Sequence, residues 1–127
     1  MIIVERDLRD ILCNEMRYGV ASNADSTYEY GKHFAELQIS LRENIPVSDS
    51  VMWVRFEDLI LDYDRTVKKI EEFLKLDSRD HIEAGKYLKT EISIRNIGQW
   101  KDYYKEYREA INGVADMVPE YLYDFEE

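Results

Sequence analysis

The sequence predicts a mixed α/β domain with two parallel strands, at about residues 1–5 and 51–55, and a helix-rich C-terminal half. Three observations carry this. Met1-Ile2-Ile3-Val4 is an apolar run that reads as a strand ending in a cationic turn, and Val51-Met52-Trp53-Val54 is a short apolar run bounded by polar residues, the pattern of a strand covered on both faces. Between them lie two segments with apolar residues at helical spacing, long enough for a right-handed βαβ crossover. Beyond the second run the spacing is helical again, with no third strand.

Each element follows in order. Asp7 can cap the first helix with Asp10 at its third position, and Ile11, Leu12 and Met16 supply an apolar stripe. Gly19 to Asp25 is small and polar, as a connecting loop should be. Ser26 and Glu29 form a capping box for a second helix, whose stripe is Tyr30, Phe34, Leu37 and Leu41 and which should stop near Asn44, ahead of Pro46. Ser48, Asp49 and Ser50 make the turn before the second strand. Glu57, Asp58, Asp62 and Asp64 lack the glycine and terminal glutamate of a calcium loop and read as a solvated acidic turn. From Asp64 to Leu76, Val67, Ile70, Phe73 and Leu74 mark an amphipathic helix with Glu71 and Lys75 ordered for an i,i+4 pair. Ser78 should cap a short helix through Ile82 and Tyr87, and Lys89 to Trp100 is less regular. A last helix should run from about Tyr104 through Ile111 and Val114 to Met117, before Pro119 and an acidic, aromatic tail.

A chain of 127 residues suits one domain spanning 1–127. With 27 acidic against 17 basic side chains, the net charge of −10 argues against general affinity for nucleic acid or an anionic membrane. A local cationic pocket remains open. Cys13 is the only cysteine, which excludes an internal disulfide and a multi-cysteine metal site, and no metal is expected. Inside a helix it reads as a small packing residue rather than a nucleophile. The apolar runs are short and the N-terminus lacks a signal-peptide pattern, so a soluble, cytoplasmic protein is the expectation.

Arg6-Asp7-Leu8-Arg9-Asp10, at the strand-to-helix junction, has two readings. A helix N-terminus beside an arginine fork favours an anion such as phosphate. Equally, Arg6 and Arg9 can be solvated or paired to the neighbouring aspartates.

Three segments in order resemble the C-terminal half of the sulfotransferases that use 3′-phosphoadenosine 5′-phosphosulfate (PAPS), a P-loop-like family. Ile2 to Asn14 is similar to the family's 3′-phosphate motif, an apolar strand, an Arg, a basic-acidic pair and a Ser eight residues after the Arg. Asn14 stands at the Ser position and can still donate to a phosphate oxygen. Val54-Arg55-Phe56-Glu57-Asp58-Leu59, with Asp62 and the helix from Thr66 to Leu74, resembles the family's strand ending in Tyr-Glu-Asp and the helix after it. Phe56 would keep the flat surface beside the adenine without the hydroxyl, or simply pack at a strand end. Ser93-Ile94-Arg95-Asn96-Ile97-Gly98-Gln99-Trp100-Lys101 resembles the late loop that brings a basic residue and backbone N–H groups to the 3′-phosphate. Arg95 is the candidate there, against the reading of a solvated loop arginine; Gly98 would serve the turn and Trp100 would anchor the loop.

The resemblance implies a partial three-layer P-loop-like sulfotransferase fold that binds PAPS or its product through Arg6, Asn14, Phe56 and Arg95. The family's Gly-rich 5′-phosphosulfate loop and its histidine base have no counterpart in the chain. His33 and His81 read as surface residues of helices. Sulfuryl transfer needs a base and cations around the moving group, so no catalytic residue is assigned and transfer by this chain alone is not expected. In the family the strand at 1–5 lies between two others; left as an edge, it should pair with an N-terminal half or drive self-association. A rival reading is a non-catalytic protein-interaction module derived from a truncated sulfotransferase domain.

Overall fold

The computed structural model describes residues 1–18, 26–80 and 88–123. The protein is a helix-rich α/β chain with a two-stranded parallel sheet. Its backbone divides into two compact units, each assembled from separate stretches of sequence: Met1–Glu5 with Ser48–Ile97, and Arg6–Val47 with Gly98–Glu127. Among the described residues no helix is long and apolar enough to cross a membrane.

The first unit holds the sheet. Strand β1 (Ile2–Glu5) pairs in parallel with β2 (Met52–Arg55), in a register that sets Ile2 opposite Met52 and Glu5 opposite Arg55. Opposed charges at the end of the ladder meet, Arg55 Nε lying 3.7 Å from a Glu5 carboxylate oxygen. The strands are less enclosed than their apolar runs predict. Val54 is buried, but Val4 is 58% and Trp53 38% exposed, so among the described residues the two strands are not covered on both faces.

Directly after β2 the chain turns into α3 (Phe56–Leu61), where the sequence suggested a solvated acidic turn. Glu57 is fully buried in the first turn of that helix, where the positive end of the helix favours a carboxylate. Asp62 links α3 to α4 (Tyr63–Leu74), and the Thr66 hydroxyl donates to the Asp58 carbonyl at 3.1 Å. Lys75 ends α4 in the left-handed conformation (φ 57°), its N–H reaching back to the Glu71 and Glu72 carbonyls. It therefore caps the helix where the sequence suggested a helical pairing with Glu71. Ser78–Asp80 forms a 3₁₀ turn; His81, Ile82 and Tyr87 lie outside the described residues, so the rest of the expected helix there does too. A short helix α5 (Thr90–Ser93) and a 3₁₀ turn (Ile94–Asn96) complete the unit.

The second unit packs three helices, α1 (Leu8–Tyr18), α2 (Tyr28–Glu43) and α6 (Trp100–Met117), around Leu8, Leu12, Cys13, Met16, Phe34 and Ile111. Leu12 has no exposed surface, so truncating it to Ala would cost about 2–5 kcal/mol. The loop expected at Gly19 to Asp25 lies outside the described residues. Helix α2 is capped one residue later than its sequence suggested: Thr27 is extended (φ −100°, ψ 157°) and its hydroxyl accepts the Tyr30 N–H at 3.1 Å. Its inward face also differs from the Tyr30–Phe34–Leu37–Leu41 stripe, since Leu37 and Leu41 are 52% and 63% exposed. The buried residues are Gly31, Phe34 and Ala35. The reason is backbone proximity. A Cβ added at Gly31 would sit 2.0 Å from the Ala110 carbonyl oxygen, and one at Gly113 would sit 2.3 Å from that of Tyr28. Small residues let α2 and α6 approach more closely than Leu side chains would permit.

Helix α6 begins four residues before the position suggested by the sequence and departs from helical geometry at Tyr107 (φ −115°, ψ 25°). Its early start is explained by the cluster around Asp10.

Candidate functional site

The first turn of α1 and the first turn of α6 meet within the helical unit. Asp7 caps α1, its Oδ1 accepting the Arg9 N–H at 2.8 Å, as expected. The other half of the anticipated capping box is used elsewhere. Asp10 Oδ2 accepts the Gly98 N–H and Oδ1 the Trp100 N–H, both at 2.9 Å. Gly98 is left-handed (φ 71°), which bends the chain so that two amides converge on one carboxylate. Asp10 is thus the cap of α6, supplied from another helix.

Next to it stands Asn14, one turn along α1. Gln99, only 5% exposed, donates its Nε2 to Asn14 Oδ1 at 2.6 Å and lies 3.5 Å from the Asp10 carbonyl oxygen. On its other side Gln99 Oε1 faces Arg17 Nη1 at 3.5 Å. The Arg17 guanidinium stacks on the rings of Tyr103 and Tyr18, 4.3 and 4.5 Å from their centres.

Arg6 and Arg9 differ in role despite their symmetry in the sequence. Arg9 forks onto Asp7 with bonds of 2.6 and 3.0 Å, covers the Trp100 ring at 4.0 Å, and reaches the Tyr123 carbonyl at 3.5 Å. Asp7 in turn accepts the Tyr123 N–H at 3.0 Å. Arg9 is therefore a structural clamp. Arg6 lies 3.9 Å from Asp10 Oδ2, beyond direct hydrogen-bond length, with 17% of its side chain exposed. Arg6 and Arg9 thus stand against Asp10 and Asp7, while Arg17 faces Gln99 and the two tyrosine rings.

Burial raises the Asp10 carboxyl above the usual carboxylate range, and the nearby Asp7 charge adds to this; the Trp100 and Gly98 N–H groups and Arg6 oppose it. Burial also pushes the Cys13 thiol up to about 12, with the Asp10 charge assisting. Protonated and enclosed, it packs and does not attack.

Of the residues singled out from sequence, Arg6 and Asn14 belong to this cluster, while Phe56 and Arg95 belong to the sheet-containing unit. Phe56 opens α3 half-buried, and Arg95 is exposed in the 3₁₀ turn Ile94–Asn96. His33 is exposed on α2. Asp10, Gln99 and Arg17 were not assigned to the site by sequence. The signal for the first was present: Asp10 sits between the buried Leu8, Leu12 and Cys13, where a carboxylate needs partners. Among the described residues no group of three or more His, Cys, Asp or Glu is arranged to hold a metal ion.

Comparison with protein-family models, curated proteins and solved structures gives no match.

Proposed function

We propose that the chain is a PAPS-dependent sulfotransferase-like protein with a P-loop-like fold, binding the 3′-phosphoadenosine end of the nucleotide without transferring the sulfuryl group by itself. One observation carries this reading. The resemblance assigns two segments, 2–14 and 93–101, to one phosphate group, and their residues Asp10 and Asn14 are hydrogen-bonded to Gly98, Gln99 and Trp100 across more than eighty residues of sequence.

The phosphate is held by side chains. The Arg9 N–H in the first turn of α1 is taken by Asp7, and the Gly98 and Trp100 N–H groups by Asp10, so the generic anion site at a helix start is filled by the protein's own carboxylates. Arg6 supplies the planar fork, and Asn14 supplies the donors that replace a serine hydroxyl. The parts given to Phe56, beside the adenine, and to Arg95, toward the phosphate, rest on the resemblance alone.

Adenosine 3′,5′-bisphosphate tests the reading. A ligand held by the native state stabilises it by roughly 2.7 kcal/mol at a hundredfold excess over Kd. The expected result is a rise in melting temperature that adenosine 5′-monophosphate does not reproduce. No rise at millimolar nucleotide would overturn the reading and favour an interaction module.

A further inference from the structure

We infer that Gln99 and Arg17 are positioning residues that lock the Asn14 carboxamide with its NH₂ end outward, making Asn14 a donor to an oxyanion; this deepens the nucleotide reading and rests on it for the identity of the anion. A carboxamide has an accepting and a donating end that are nearly the same size, so its direction is set by its neighbours. Gln99 has neighbours that fix it. Its Oε1 faces the Arg17 guanidinium, which only donates, and its Nε2 faces the Asp10 carbonyl oxygen, which only accepts. Each of these contacts is long, at 3.5 Å, but both demand the same orientation. With Gln99 held in that sense, its Nε2 donates to Asn14 at 2.6 Å and the Asn14 oxygen must turn inward.

The consequence is chemical. Asn14 is half-buried, and the end pointing away from Gln99 carries two N–H donors. A phosphate oxygen can accept from it; a hydroxyl or ammonium donor of a ligand finds no acceptor there. The serine at this position in the family resemblance needs no such relay, since a hydroxyl proton rotates to suit its partner. Asparagine does need it. Gln99, 5% exposed in the turn before α6, and Arg17, held on α1 between Tyr103 and Tyr18, supply it.

Gln99→Glu reverses the relay. A carboxylate at 99 only accepts, so Asn14 must flip to donate to it and present its oxygen outward. Assigned side-chain amide exchange in the full chain reads this directly: the Asn14 NH₂ should exchange freely in the wild type and become protected in Gln99→Glu. Protection already present in the wild type, or no change on substitution, overturns the inference whether or not nucleotide binds. Gln99→Glu should also weaken adenosine 3′,5′-bisphosphate by about tenfold or more, the equivalent of one charge-assisted hydrogen bond. Because that variant adds a charge, Gln99→Met is the neutral control. It should weaken binding about threefold in the wild type, as Asn14 becomes free to turn, and have no effect in Asn14→Ser, whose hydroxyl needs no orienting. Equal losses in both backgrounds would mean that Gln99 acts only through the shape of the loop, and would overturn the inference. Absence of nucleotide binding by the wild type would refute the nucleotide reading and leave the amide exchange to decide the relay.

Discussion

Asp10→Ala should be among the most damaging substitutions in the helical unit. The carboxylate is 1% exposed and accepts two backbone N–H groups, from Gly98 and Trp100, at the start of an 18-residue helix. Removing it leaves both donors without that acceptor, at about 1–3 kcal/mol for each that stays dry. Loss of the helix-dipole interaction adds about 0.3–1 kcal/mol. Relief from burying a carboxylate, whose raised pKa records the strain, offsets part of this. A net loss of about 2–4 kcal/mol follows, with Asp10→Asn nearer 1–2 kcal/mol because one oxygen can still accept. Urea unfolding followed by far-UV circular dichroism measures both. The pH dependence has a definite sign. A carboxyl whose folded pKa is raised binds its proton more tightly folded than unfolded, so this group's contribution rises as pH falls. Between the raised folded value and the ordinary value of 3.8, the wild type should gain stability relative to Asp10→Asn. Asp10→Ala within about 0.5 kcal/mol of wild type, the range of ordinary surface changes, would refute the capping role.

Three further outcomes follow from the same geometry. Gly31→Ala should destabilise by about 1–3 kcal/mol despite better helix propensity, because the added methyl meets the backbone oxygen of Ala110 rather than a movable side chain; thermal unfolding at or above the wild-type temperature would contradict the close approach of α2 and α6. Arg9→Ala should cost about 3–5 kcal/mol, since it strips a buried Asp7 of its forked partner and uncovers Trp100, and a fluorescence-monitored unfolding curve should show it. Cys13, with its thiol pushed up to about 12, should resist alkylation by iodoacetamide at pH 8 in the native state and react on unfolding; rapid native labelling would mean that the core of the helical unit opens.

Much of the local structure was legible in the sequence because it depends on near neighbours. The two apolar runs became parallel strands, Asp7 caps α1, and Gly98 takes the left-handed turn. What escaped depends on partners distant in sequence. The start of α6 at Trp100 is fixed by Asp10, ninety residues earlier, and no local pattern encodes it. The stripe on α2 was assigned to its larger side chains, whereas Gly31 and Ala35 face inward because α6 presents Ala110 and Gly113. Glu57 looked like one member of an acidic turn until helix α3 enclosed it. At the candidate site, Arg6 was singled out by its place at a helix start and Asn14 only by the family resemblance. Gln99 and Arg17, which orient Asn14, could not be read from the sequence, because their roles arise only when α1 and α6 lie side by side.

Calorimetric titration of adenosine 3′,5′-bisphosphate into the wild type and Arg6→Ala, with adenosine 5′-monophosphate as the control lacking the 3′-phosphate, tests the central claim most directly. Saturable binding of the bisphosphate, lost with the monophosphate and weakened about tenfold or more in Arg6→Ala, is the predicted result. Equal affinity for the two nucleotides, or no heat of binding at millimolar concentration, would contradict it.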